Sequence, residues 1–107
     1  MRETKNTVKQ TVAVKVTLNK GLVQCEPCCA YVRRGQTIDW GSAKDKSFAI
    51  HLGYDSPFAI VHHQSTRQQH LLLKIAKDIP YGRYKYTIAL FDGIRVWIED
   101  PEFIVRR

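Results

Sequence analysis

Val8, Val12, Val14, Val16 and Leu18 stand at even positions, with Lys9, Thr11, Lys15 and Thr17 at odd positions between them. A side-chain period of two sends alternate residues to opposite faces of an extended chain, so this segment reads as a strand with one apolar and one polar face. Its β-branched content favours the same state, and Asn19-Lys20-Gly21 supplies the turn that ends it. The pattern recurs in residues 30–33, 36–40, 47–52, 83–90, 94–99 and 103–105. Turn residues separate these runs, and Asp92-Gly93 is a strong hairpin signal. Leu71-Leu72-Leu73-Lys74-Ile75-Ala76 has the length of a buried strand, stopped by Pro80-Tyr81-Gly82. The polar stretch from His62 to His70 reads as a loop.

Short strands divided by turn residues imply an all-β sandwich or barrel. A chain of 107 residues fits a single domain, read as 1–107 with residues 1–7 as a flexible N-terminal tail. At 44% hydrophobic and 25% charged residues, long-range disorder is excluded. No window approaches the roughly 18 uninterrupted apolar residues that a membrane helix needs. Met1-Arg2-Glu3-Thr4-Lys5-Asn6 has no apolar signal core. The protein is therefore expected to be cytoplasmic if Met1 is the native start, and periplasmic or secreted if a leader was removed.

Three stretches carry a family pattern. Gly35-Gln36-Thr37-Ile38-Asp39-Trp40 matches a polar–Gly–polar–x–aliphatic–x–aromatic strand, Pro80-Tyr81-Gly82-Arg83-Tyr84-Lys85-Tyr86 matches Pro–x–Gly–x–Tyr–x–Tyr, and Phe103-Ile104-Val105 matches a closing strand. Over roughly residues 26–107 the chain resembles the cupredoxins, the plastocyanin- and azurin-type domains. That resemblance implies a Greek-key, two-sheet β-sandwich. Cupredoxin electron carriers hold copper with Cys, His and often Met on the loop after the Tyr strand, plus an earlier His. Here that loop reads Thr87-Ile88-Ala89-Leu90-Phe91-Asp92-Gly93, the one Met is Met1, and His51 is displaced from the earlier His position, near Ser47-Phe48. No type 1 copper site and no cofactor are therefore expected.

Cys25, Cys28 and Cys29 form the sharpest chemical motif. Thiolates two residues apart can meet one tetrahedral metal ion, with His62, His63 or His70 completing the set, or can cycle between dithiol and disulfide. The competing reading is a loop of small, partly buried thiols. His62, His63 and His70 on a polar loop read as solvated, and His51 as facing outward. Catalysis has little to work with, since no Gly–x–Ser–x–Gly segment or phosphate-cradling glycine loop occurs and the carboxylates are scattered. The chain is therefore read as non-enzymatic.

Seventeen Lys and Arg against ten Asp and Glu give a net charge of +7, which invites an anionic partner without specifying one. Taking Tyr84, Tyr86, Ile88, Val96, Ile98 and Ile104 as inward leaves Arg83, Lys85, Arg95 and Trp97 on the outer face of one hairpin. This face is the expected interaction surface. An outward indole anchors a protein partner or homodimer, while a basic sheet face also suits single-stranded nucleic acid or another polyanion. The leading expectation is a copper-free, cupredoxin-like interaction module, with thiol-metal chemistry and polyanion binding as alternatives.

Overall fold

The computed structural model describes residues 10–43, 46–66 and 68–107. The expected tail and the start of the first valine run lie outside these residues. Among them are eleven strands and no helix: β1 (Thr11–Asn19), β2 (Leu22–Glu26), β3 (Cys29–Arg33), β4 (Thr37–Gly41), β5 (Ser47–His51), β6 (His62–Gln64), β7 (His70–Lys74), β8 (Gly82–Lys85), β9 (Thr87–Phe91), β10 (Val96–Glu99) and β11 (Glu102–Arg106). The fold is small, all-β and compatible with a β-sandwich, as the alternation implies.

One sheet has the order β2-β1-β4-β7. Lys20 and Gly21, at φ 53° and 79°, make the two-residue turn joining β1 to β2, the turn hand that suits strand twist. Opposite it runs a long antiparallel hairpin. β9 pairs with β10 and β8 with β11 in one register, so that Leu90 faces Trp97, Ile88 faces Glu99, Lys85 faces Glu102 and Tyr84 faces Phe103. Between the two halves the Tyr86 amide donates to the Pro101 carbonyl at 3.1 Å, which keeps the register across the break. β5 and β6 extend one half into the sheet β10-β9-β5-β6, and β3 extends the other into β3-β11-β8.

Trp40 is fully buried between these layers, edge-on to Tyr86 at 5.3 Å and to Phe103 at 6.5 Å. Its indole N–H donates to the Tyr86 hydroxyl at 2.9 Å, and that hydroxyl is also bonded to the buried Cys25 thiol. Ile38, Ile50, Ile75, Ile88 and Leu90 are fully buried in the same core.

The hairpin corrects the expected core. Val96 and Ile98 are exposed (59% and 65%), Trp97 packs inward, and Phe103 and Val105 are buried on either side of a partly exposed Ile104. The Asp92 amide donates to the Arg95 carbonyl at 3.1 Å, making Gly93-Ile94 a two-residue connection. Such a loop sets even positions of one strand opposite odd positions of the other, and opposed residues share a face. With Tyr86, Ile88 and Leu90 inward, the second strand must turn its odd residues inward. Two loop expectations are also corrected. His62–Gln64 is strand β6 on β5, and Cys25 lies within strand β2, opposite Val16.

Asp92 holds the turn. Its Oδ1 accepts from the Arg95 and Ile94 amides at 2.7 and 2.8 Å, and its Oδ2 from the Trp97 indole at 2.8 Å. These bonds, the Arg95 amide foremost, hold its carboxyl down at about 2, against an ordinary value of 3.8. A carboxyl whose pKa falls on folding stabilises the fold above its unfolded value and loses that contribution as pH drops through the folded one. Melting temperature should therefore fall between about pH 4 and pH 2, and Asp92→Asn should flatten part of that dependence. Urea unfolding of core variants provides a second check. Ile88→Ala should cost roughly 2–5 kcal/mol, and Tyr86→Phe, which strands the Trp40 indole N–H, about 1–3 kcal/mol.

Candidate functional site: a basic and aromatic sheet face

The outward rows of β3-β11-β8 follow from strand pairing. Tyr31 lies beside Ile104 and Arg83, Arg33 beside Arg106, and Cys29 beside Glu102 and Lys85. Because β3 and β11 run parallel and β8 antiparallel to them, one end of the sheet gathers the C-termini of β3 and β11 and the start of β8. Arg33, Arg34, Arg106, Arg107 and Tyr81 meet there.

Contacts hold this end in shape. The Arg34 guanidinium stacks 3.8 Å above the Tyr81 ring, and Arg107 lies 5.3 Å from the same ring. Arg106 lies 5.3 Å from the Tyr31 ring. Arg34 Nε donates to the Ile79 carbonyl at 2.8 Å, and Arg33 Nε to the Arg107 carbonyl at 3.2 Å. Tyr31 and Tyr81 remain 55% and 45% exposed. Among the described residues, Glu102 is the one carboxylate in strand register on this face, and Arg83 occupies it at 2.6 Å. That pair holds Glu102 below and Arg83 above their ordinary values. Arg33, Arg34, Lys85, Arg106 and Arg107 supply the positive field.

The expected four-residue surface is split. Arg83 and Lys85 lie on β8 in this face, whereas Arg95 and Trp97 belong to the far end of the hairpin. Trp97 is not an outward anchor. Its indole is bonded to Asp92, its ring packs against the Gly21 turn, and the Arg95 guanidinium lies 6.0 Å from the ring. Tyr31, Tyr81 and the four terminal arginines were not legible as a cluster, because parallel pairing of β3 with the last strand brings together residues some 74 positions apart.

The cysteines line a hollow of about 350 Å³ with Glu99 and Asp100, at the end of the same sheet where Lys85 and Glu102 lie. Burial pushes the Cys25 thiol up to about 11, and burial together with a hydrogen bond to Glu102 raises Cys29. Reactive thiolates form in electropositive surroundings, and three carboxylates at this hollow act the other way. His62 and His63 lie on the edge strand of another sheet, with the His62 ring 6.1 Å from His51 and His63 bonded to the Ile60 carbonyl. His70 Nδ1 is bonded to Asp39 at 2.7 Å. Among the described residues, no three His, Cys, Asp or Glu side chains converge as metal ligands.

No protein-family model matches the chain, and no curated protein matches it in sequence. Alkylation should separate the thiols. Iodoacetamide near pH 8 should label the exposed Cys28 at least about tenfold faster than the buried, strand-held Cys25. Equal rates by peptide mass mapping contradict this placement.

Proposed function

We propose that this protein is a non-catalytic binding module, a copper-free β-sandwich of cupredoxin-like, Greek-key type, whose ligand is single-stranded nucleic acid laid across β3-β11-β8. The observation that carries the reading is the gathering of Arg33, Arg34, Arg106 and Arg107 around two half-exposed tyrosines, where Glu102, the one carboxylate in strand register among the described residues, is already paired with Arg83. Single-strand binders combine a positive track for the backbone with aromatic faces for the bases. Guanidinium groups suit phosphate because they present paired N–H donors in a plane. The arginines already stacked on Tyr81 and Tyr31 hold those donors beside the rings, so a base and its phosphate have adjacent partners.

The copper-free reading rests on the loop itself. β9 runs into the Asp92-Gly93 turn with side chains that offer no soft ligand, and Ile88 and Leu90 are wholly buried. The protein-partner expectation built on an outward Trp97 loses its anchor, and the thiol-metal alternative has His62 and His63 on another sheet and His70 bonded to Asp39.

Fluorescence anisotropy with a labelled oligonucleotide of about ten nucleotides tests the proposal. With about four phosphates neutralised, affinity should drop on the order of 50-fold between 50 and 200 mM salt. Tyr31→Ala and Tyr81→Ala should each cost about 1–3 kcal/mol of binding, and Arg33→Glu with Arg106→Glu should abolish it. Absence of binding at low salt refutes the proposal. So does binding of heparin and oligonucleotide alike with no dependence on either tyrosine, which marks a polyanion surface without base stacking.

A further inference from the structure

Arg83 stands in the row Arg83–Ile104–Tyr31, one row along the sheet from Arg33 and Arg106. Rows on one face are two residues apart, about 6.6 Å, so Arg83 is placed to carry the cationic end onward beside Tyr31. Its Nη1 donates instead to Glu102 Oε2 at 2.6 Å. The guanidinium is the open partner, 63% exposed, and the carboxylate the covered one, at 19%. Glu102 is also held from its other side, where the Cys29 thiol donates to it, and Lys85 is its register neighbour on β8. The Arg83 bond foremost keeps its carboxyl below the ordinary value, so it stays ionised at neutral pH. Beyond it, Glu99 and Asp100 continue the acidic side around the neighbouring hollow. A carboxylate and a phosphate each offer oxygens that match the paired N–H donors of a guanidinium. Glu102 therefore engages Arg83 as a phosphate of the ligand would.

We infer, on the basis of the nucleic-acid reading of this face, that Glu102 is a built-in competitor for phosphate, which closes the cationic track at Arg83 and leaves that part of the face to uncharged bases. A phosphate that displaced the carboxylate from Arg83 would still meet it, because Glu102 is fixed on the central strand of the sheet. Two negative charges beside one guanidinium repel, and the more so where one of them is largely covered from solvent. A base carries no charge and is not turned away, and the Tyr31 ring in the same row offers it a face to stack on. Phosphates thus belong at the arginine end and bases over the middle of the sheet. An unbroken cationic track would hold any polyanion. The interruption at Glu102 favours a ligand in which charge alternates with flat, uncharged groups.

Anisotropy titrations of the same oligonucleotide across a salt series decide it. With about four phosphates contacted, wild type should show a log–log salt slope near about −2.8. Glu102→Gln frees Arg83 for one more phosphate, so the slope should steepen to about −3.5 and the loss between 50 and 200 mM salt to about 130-fold. Adding Arg83→Gln to that variant should restore the wild-type slope. Glu99→Gln removes the same unit of charge from the adjoining hollow and should leave the slope unchanged. Heparin, a continuous polyanion, should gain at least as much affinity from Glu102→Gln as the oligonucleotide does. Glu102→Ala repeats the test if the glutamine variant fails to fold. An unchanged slope in Glu102→Gln, or equal steepening in Glu99→Gln, overturns the inference and leaves nucleic-acid binding standing. A heparin affinity that does not rise removes the selectivity role and overturns it as well. If wild type and Glu102→Gln both fail to bind at 50 mM salt, the nucleic-acid reading itself fails and takes the inference with it.

Discussion

The two-residue connection between Asp92 and Arg95 fixes more of this molecule than any other contact. By setting even residues opposite odd ones, it decides that Trp97 joins Leu90 in the interior and that Val96 and Ile98 look outward. The same register continues through the Tyr86–Pro101 break, so it also buries Phe103 and Val105 and leaves Ile104 with Tyr31 and Arg83 on the basic face. A slip of one residue would exchange the two faces of the second strand. The outer faces of both hairpin halves depend on this one geometry. Asp92 secures it by bonding two turn amides and the Trp97 indole at once.

Much of the fold was legible because alternation is local. Val14, Val16, Ile38, Trp40, Phe48, Ile50, Tyr86 and Ile88 are buried as their period implies. At the hairpin, apolarity and parity point to opposite faces. Ile94, Val96 and Ile98 look like an inward triplet, yet a two-residue loop between inward Leu90 and the next strand forbids that choice. Loop length was the available signal. The site was harder to read. Tyr31 beside Arg106, and Tyr81 beside Arg34 and Arg107, arise from non-local pairing that no window of sequence contains. The cysteines misled through their spacing, since Cys25 lies in a strand whose inward side chain is drawn to Tyr86.

The outer faces of the hairpin's two halves differ in chemistry. One concentrates guanidinium groups and aromatic rings and, among the described residues, carries one carboxylate in strand register, Glu102, paired with Arg83. The other exposes aliphatic and aromatic carbon with no formal charge in its central rows.

Placement of the Trp97 ring is the most direct test of the register on which all of this rests. A NOESY spectrum should show Trp97 indole protons close to the Gly21 α-protons, which adjoin the ring, and to the methyls of the cross-strand neighbour Leu90. The Val96 and Ile98 methyls should lack contacts to the buried core. Contacts from Ile98 into the core, with an indole that meets neither Gly21 nor Leu90, would reverse the two faces and contradict the account.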